Sequence, residues 1–197
     1  MKTIVLTSLV ILALIIGCED EITGPIENES VTFLDLPDSP DLGDTTRFDS
    51  YYMIRGSYGT TIQFNRQFTG GPFGQYSITA TLEIDSGTIA FNDSLLCQLS
   101  VYVSNTCVHI IPIEPFFAHP FKLSVKYKGI DLQQFKISDL QFAYTNENNV
   151  PSDVTYDAIS IDYVTGTLEV VNAIIQYDPR QTPDSKYGWV RKSVTGN

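Results

Sequence analysis

Apolar and polar residues alternate with a period of two along much of this chain from Ser50 onward, and this alternation limits the folds it can adopt. In YSITATLEI, residues 76–84, every second residue is apolar and most of the others are polar. FKLSVKYK at 121–128 and DLQFAY at 139–144 repeat the pattern. Because successive side chains of a β-strand point to opposite faces of its sheet, the pattern predicts strands with one buried face.

About ten such segments, separated by Gly, Pro, Asn and Asp residues, follow one another without any stretch of sustained helical spacing. The further predicted strands are TTIQF, TIAF, LCQLSVYV, CVHIIPI, YGWVRK and two strands in AISIDYVTGTLEVV that meet at a turn near Thr165-Gly166. Two antiparallel sheets can bury each other's apolar faces. The sequence therefore predicts an all-β fold, an antiparallel β-sandwich over residues 50–197, with a single closed sheet as the alternative.

The first 17 residues have the composition of a leader. Lys2 precedes a mostly apolar run of about 13 residues, whereas a helix that crosses a bilayer needs ~20. The run ends in LIIGC, which resembles the lipobox of bacterial lipoproteins. This resemblance implies that residues 1–17 are a signal peptide cut after Gly17, and that Cys18 carries the acyl chains. Two or three chains on one residue are sufficient for stable membrane anchoring.

Residues 18–49 are acidic and contain three prolines and two glycines. Ten acidic residues lie between Glu19 and Asp49 against one arginine, in a chain of net charge −11. Such a composition favours a largely flexible tether that stands off anionic lipid. VTFLDL at 31–36 departs from it and could add a first or edge strand to the sheet. A partner-binding acidic tail is the alternative interpretation of the segment.

The residues after the predicted lipid anchor indicate a location outside the cytoplasm. Glu19-Asp20-Glu21 resembles the acidic export signals that send some bacterial lipoproteins to the outer leaflet, which implies the outer membrane or cell surface. The expected partners are therefore the membrane, through the lipid anchor, and an unknown protein or glycan. Nucleic acid is excluded as a partner because the chain has no basic stripe that could neutralise phosphates.

Several segments in order resemble a group of bacterial lipoproteins of unknown function. They are IRGSYGTTIQFNRQFTGGPFGQYSITATLEI from Ile54, PFFAHPFKLSVKYKGIDL from Pro115, YDAISIDYVTGTLEVVNAII from Tyr156 and KYGWVRK near the end. That group is in turn similar to the β-sandwich domain of ankyrins and netrin receptors. The resemblance implies a fold and a location, but no activity. The chain departs from the group at IDSGTIAF, from Ile84, and at TPDS before Tyr187.

Cys97 and Cys107 form an even pair that could be a disulfide in an oxidising compartment. They lie on either side of a predicted hairpin with Ser104-Asn105 at its tip. A two-residue loop would pair Val101 with Val108 and place the two thiols on opposite faces of the sheet, where they cannot bond. A longer or bulged loop would allow the bond, so a disulfide and two buried free thiols both remain open.

The chain offers few groups for catalysis. Its two histidines are His109, in a strand where it should face outward or cap an edge, and His119, in a loop. No nucleophile elbow or comparable motif is present. The histidines and cysteines do not have the spacing of a zinc site, and DLPDSPDLGD lacks the pattern of a calcium loop. We therefore expect no catalytic residues, no metal site and no cofactor.

Aromatic residues are frequent, at 12% of the chain. Most fall on strand faces that need a core, but a row of exposed rings could stack on sugars. The candidates for exposed binding aromatics are Phe116, Phe117, Tyr187 and Trp189, with Tyr51 and Tyr52 as further rings to inspect. Phe116 and Phe117 are placed between prolines, so alternation does not predict their burial.

These observations lead to one main functional prediction and two alternatives. The chain is expected to be a non-catalytic binding, adhesion or envelope-assembly module, which requires a contiguous exposed apolar or aromatic patch. A glycan-binding accessory protein is the first alternative and requires two or three coplanar exposed rings. A hydrolase is the second alternative and requires a cleft with a nucleophile beside a shifted ionisable group.

Overall fold

The chain forms two antiparallel β-sheets that pack face to face. A computed structural model describes residues 31–90, 93–111, 117–146, 148, 150–176 and 185–192. The strands are β1 Val31–Phe33, β2 Arg47–Arg55, β3 Thr60–Thr69, β4 Gln75–Ile84, β5 Ser94–Tyr102, β6 Cys107–Ile111, β7 Phe121–Lys128, β8 Leu140–Thr145, β9 Pro151–Asp153, β10 Ala158–Asp162, β11 Thr167–Ile175 and β12 Lys186–Lys192. A short 3-10 helix spans Ile137–Asp139. The predicted all-β antiparallel sandwich is confirmed.

The larger sheet has seven strands and the smaller has five. In the larger sheet the order is β2-β5-β6-β12-β8-β9, with β1 also paired to β12. In the smaller sheet the order is β10-β11-β7-β4-β3. The consecutive strands β2 and β3 belong to different sheets, and each is a terminal strand of its sheet. Among the described residues, no helix has the length and apolar character needed to cross a bilayer.

The core lies between the two sheets, where the alternation predicts it. In β4 the five apolar side chains of one face are all buried: Tyr76, Ile78, Ala80, Leu82 and Ile84. In β7 the same holds for Phe121, Leu123, Val125 and Tyr127. Burial of one large apolar side chain contributes about 1.5–3 kcal/mol to folding, so this face determines the register of the central strands.

The segment before β2 is packed on the sandwich, so the predicted domain boundary at residue 50 is wrong. Leu34 and Leu36 are buried in the core. The Leu34 N–H donates to the Trp189 carbonyl at 3.1 Å, and the Leu36 N–H donates to the Ser104 carbonyl at 3.0 Å. VTFLDL has four apolar residues, and the burial of Leu34 and Leu36 in the core outweighs the acidic composition around them. The strand expected in VTFLDL is confirmed as β1, and residues 18–30 of the predicted tether lie outside the described residues.

The acidic loop between β1 and β2 is held to the smaller sheet by one carboxylate. Asp41 accepts hydrogen bonds from the Thr69 backbone N–H at 2.8 Å and from the Thr69 hydroxyl at 2.7 Å. These two bonds lower the pKa of the Asp41 carboxyl from its ordinary value. At least two of these regularly spaced acids thus make structural contacts, Asp41 through its side chain and Asp35 through its backbone, which bridges to Asn105.

One predicted hairpin is present in the structure, and one predicted strand is not. The hairpin expected near Thr165-Gly166 is confirmed, since Asp162 pairs with Thr167 and the loop has the four residues 163–166. The strand expected in TIAF is wrong, because Thr88 and Ile89 lie in a bend after Gly87, whose φ is +80°. Ile89 nevertheless points into the core and is buried. An apolar run can therefore be buried from a turn.

Candidate functional site

Two of the four aromatic candidates are core residues, so the prediction that they are exposed is wrong. Trp189 is 0% exposed and Tyr187 is 2% exposed. The Trp189 ring contacts the Phe142 ring edge-to-face at 6.0 Å between centroids, and the Tyr187 ring lies 5.5 Å from that of Tyr144. The strand that carries them, β12, lies between β6 and β8 in the middle of the larger sheet. Both rings face the smaller sheet and cannot contact a ligand.

The other predicted sites lie in the loop before β7 and at the amino terminus. Phe117 is only partly exposed, and its ring stacks on that of Phe121 with 5.1 Å between centroids. Phe116 lies outside the described residues, and so does Cys18. The row of exposed rings expected of a glycan-binding face is therefore not formed by Phe117, Tyr187 and Trp189.

Cys97 and Cys107 are free, buried thiols. Val101 pairs with Val108, as the register with a two-residue loop predicts, and both valines belong to the core. Cys97 is also in the core, whereas Cys107, next to Val108, points to the outer face of the larger sheet. The two sulfur atoms are thus separated by the sheet itself. Burial raises the pKa of each thiol to about 12.

We expect neither of these thiols to react with a thiol reagent in the folded protein at pH 8. The reactive species is the thiolate, which burial disfavours at both sites. In the Cys18→Ser variant, a chromogenic disulfide reagent should therefore detect no thiol before denaturation and two afterwards. The intact mass under non-reducing conditions should show no loss of two hydrogens. A disulfide would give no reactive thiol after denaturation, which would contradict the placement of the two sulfur atoms.

The described residues do not bring the two histidines together in a cleft, and they form no metal-binding set. His109 lies on the outer face of β6 and is largely buried, while His119 is exposed in the loop before β7. Neither histidine lines the cleft beside Gln67 or the cleft beside Asp38. Across the described ranges, no three His, Cys, Asp or Glu side chains are grouped so that they could hold a metal ion.

An exposed apolar surface lies on the outer face of the larger sheet, and we call it the β2–β5–β6 patch. It is formed by Tyr51, Met53, Leu96 and Ile111, which are 58%, 56%, 53% and 37% exposed. Met53 is directly opposite Leu96, and Tyr51 and Ile111 flank Gln98 on either side. Directly opposed side chains on one face are about 5 Å apart at their Cβ atoms. Together with Gln98, the four side chains therefore form one continuous surface.

The β2–β5–β6 patch is uncharged within a strongly acidic chain. The residues from Ser50 to Ile54 of β2 include no Asp, Glu, Lys or Arg, and neither do the whole of β5 and β6. Charges occur only towards the ends of β2, where Arg47 Nε lies 3.3 Å from Asp49 Oδ1 and Arg55 ends the strand. Desolvation of the patch would therefore not require a charged group to leave water.

Three of the four patch residues were missed by sequence reasoning, although a signal was present. Tyr51 was a candidate ring, but Met53, Leu96 and Ile111 were not. The signal is a break in alternation: YYMI at 51–54 and LL at 95–96 are apolar on successive residues. Successive apolar residues within a strand place apolar side chains on both faces, of which only one can face the core. The interruption of the pattern was thus the informative feature.

A cleft of about 530 Å³ lies on the outer face of the smaller sheet, and we call it the amide cleft. Its walls include Asn65, Gln67, Gln75, Phe73, Lys128 and Val164. The Gln67 Nε2 donates to Gln75 Oε1 at 2.7 Å, and Phe73 is half exposed. No Asp or Glu is among the described residues that line the cleft. Amide groups beside an exposed ring can hydrogen-bond and stack on a hydroxyl-rich ligand, but cannot supply a pair of acid-base catalysts.

A second cleft of about 920 Å³ lies along the acidic loop between β1 and β2, and its walls include Asp35, Asp38 and Asp44. The three carboxylates belong to the same acidic segment as Asp41, which is already bonded to Thr69.

Comparison of the chain with protein-family models, with curated protein sequences and with solved structures gives no match.

Proposed function

We propose that this chain is a lipid-anchored, non-catalytic binding module displayed outside the cytoplasm, whose partner is a protein that docks on the β2–β5–β6 patch. The observation that supports the binding role is the continuity of Tyr51, Met53, Leu96 and Ile111 on one sheet face. Contiguous exposed apolar surfaces mark interaction sites more often than scattered apolar residues do. Tyr and Met are also enriched in protein interfaces.

The anchoring part of the proposal depends on the resemblance of LIIGC to a lipobox. Acyl chains on Cys18 would hold the sandwich at a membrane surface, with at least 12 residues between the anchor and β1. We expect labelled palmitate to enter the wild-type chain and not the Cys18→Ser variant. We also expect the variant to leave the membrane fraction. Equal fractionation of the two chains would contradict the proposed anchor.

The binding part is tested with a photo-crosslinking residue placed at Gln98, between Tyr51 and Ile111 on the patch and away from the β2 edge, of the full-length chain in the cell envelope. We expect one covalent adduct of defined mass, and we expect the Leu96→Lys/Ile111→Lys variant to lose it, because two ammonium groups on the patch would have to be desolvated on docking. Thr61→Lys/Gln63→Lys is the matched control, since it adds two lysines to exposed positions on the smaller sheet. An adduct that survives the first variant, or that both variants abolish, would contradict docking on the patch.

Glycan binding is the second candidate function, and the amide cleft is the observation that favours it. Three amide side chains, one lysine and a half-exposed Phe73 suit a neutral or carboxylate-bearing oligosaccharide. A glycan array should then give binding that Phe73→Ala and Gln75→Ala reduce together. An array without any signal for the wild-type chain would exclude this function and leave the protein-binding proposal unaffected.

A further inference from the structure

The edge of the larger sheet at β2 is long, uninterrupted and unpaired among the described residues. β2 pairs with β5 over nine consecutive residues, Arg47 to Arg55, without a bulge. Its other edge has no paired strand within the described ranges. Edge strands of this kind expose a row of backbone N–H and C=O groups, and proteins usually protect them with a proline, a central charge or a bulge. The central residues Ser50–Ile54 of β2 contain no proline and no charge.

The other terminal strands differ from β2 in these respects. β9 has three residues and β10 has five, so each offers few backbone groups for pairing. β3 is one residue longer than β2, but it carries a central charge, Arg66, and three amide side chains in the run QFNRQ. Among the described terminal strands, β2 is therefore the one whose sequence lacks the usual protection against pairing with another chain.

We propose that β2 pairs antiparallel with β2 of a second copy of this chain, around a two-fold axis at Tyr52. In this register Asp49 of each copy lies opposite Arg55 of the other, so the two-fold axis generates two such ion pairs. Tyr51 of each copy opposes Met53 of the other on the outer face. Opposite charges and apolar pairs directly across two strands both stabilise their pairing. The occupant of this edge is thus a second copy, selected by the order of charges in RFDSYYMIR.

The other registers are less favourable for a physical reason. Side chains alternate between the faces, so a symmetric antiparallel pair must be centred on a residue and not between two residues. Three such registers pair seven or more residues of β2, with centres at Ser50, Tyr51 and Tyr52. The register centred on Tyr51 opposes Arg47 to Arg55, and the one centred on Ser50 opposes Asp49 to Tyr51. Only the Tyr52 register brings opposite charges together.

The pairing would extend the sheet and the patch without covering the patch. Two seven-stranded sheets would become one of fourteen strands. The outer faces of the two larger sheets would lie on the same side, since a two-fold axis between antiparallel strands is perpendicular to the sheet. The β2–β5–β6 patch would then be doubled across the axis. The dimer uses the edge of the sheet, whereas the proposed function uses its outer face.

Cysteine crosslinking of the full-length chain in the cell envelope tests the register. We expect Tyr52→Cys to form a dimer with a short bismaleimide, since the two copies of residue 52 are directly opposite. Tyr51→Cys and Met53→Cys should crosslink to each other when the two chains are co-expressed with different tags. Val164→Cys, exposed in the loop between β10 and β11, is the control and should give no dimer above the wild-type baseline. A dimer from Tyr51→Cys alone that exceeds that from Tyr52→Cys would overturn the register.

A charge exchange tests the interface by a second route. Arg55→Asp and Asp49→Arg each place two pairs of like charges in the interface, so each should raise the dimer dissociation constant about 10- to 100-fold in sedimentation of the purified full-length chain. A mixture of the two variants restores both opposite-charge pairs and should form a heterodimer. Arg47→Gln is the control. It removes the arginine that contacts Asp49 within one chain, but residue 47 lies outside the paired residues 49–55, so dimerisation should be unchanged. A wild-type chain that stays monomeric by both methods, or a mixture that does not recover, would overturn the proposal. If the Leu96→Lys/Ile111→Lys variant kept its photo-crosslinked adduct, that result would contradict docking on the patch and would leave the dimer proposal unaffected.

Discussion

Replacing Trp189 by alanine is expected to lower the free energy of unfolding by about 3–5 kcal/mol. Trp189 is the single tryptophan of the chain, is fully buried, and contacts the Phe142 ring edge-to-face. Its strand lies between β6 and β8, so the cavity would open in the middle of the larger sheet. The surrounding strands are paired on both sides and can relax only partly, which keeps the cost near the upper end of such substitutions.

The measurement is urea denaturation followed by far-ultraviolet circular dichroism, because the variant lacks the fluorophore. Trp189→Phe is the matched control: it keeps an aromatic ring and removes an indole N–H that has no hydrogen-bond partner among the described residues. We expect it to cost clearly less than the alanine variant, since a buried unpaired donor is lost. Tyr51→Ala, at an exposed ring, should change stability by no more than about 0.5 kcal/mol. A loss below about 1 kcal/mol for Trp189→Ala would contradict the burial of the indole.

Replacing Gly166 by alanine should lower the free energy of unfolding by about 2–4 kcal/mol, from strain and overlap together. Gly166 ends the loop between β10 and β11 with a φ of +60°, which L-residues rarely adopt. A Cβ atom there would lie 2.1 Å from the Ile130 carbonyl oxygen. The same two residues are joined by a bond from the Ile130 N–H to the Gly166 carbonyl at 3.0 Å, so the backbones cannot separate without losing it.

Gly74→Ala separates the two contributions. Gly74 has a φ of +76°, but a Cβ atom there would meet nothing within 4 Å. The variant should therefore cost only the backbone strain, about 1 kcal/mol. Chemical denaturation of both variants under the same conditions gives the difference, which measures the overlap with Ile130. Equal losses for the two variants would show that the loop moves away from Ile130 at no cost.

Local pattern predicted the strands where one face is apolar and the other polar. In β4 and β7 the alternation predicted both the strand and its buried residues, because each polar face points to solvent. The pairing of Val101 with Val108 is the one that a two-residue hairpin loop predicts, since the length of the loop determines which residues are opposed, and a longer or bulged loop was the alternative. These are short-range properties, and the sequence contains the residues that decide them.

Pattern failed where burial depends on a partner distant in the chain. Tyr187 and Trp189 could have faced solvent or the core, and they are buried because β12 lies in the middle of the larger sheet and both rings belong to the core. Leu34 and Leu36 lie in an acidic segment that composition describes as flexible, but hydrogen bonds to Trp189 and Ser104 hold it on the sandwich. Composition is an average over the whole segment, so it does not reveal the few apolar residues that reach the core.

The all-β class of this domain follows from the amino-acid order alone, because the period of its apolar residues matches a strand and not a helix. Which faces of the sheets remain open depends on how the strands are arranged in space. The β2–β5–β6 patch combines residues 51, 53, 96 and 111, and the amide cleft combines residues 65 to 77 with 128 and 164. Neither surface exists until the strand order is set. Strand order depends on the pairing of distant segments, which local alternation does not encode.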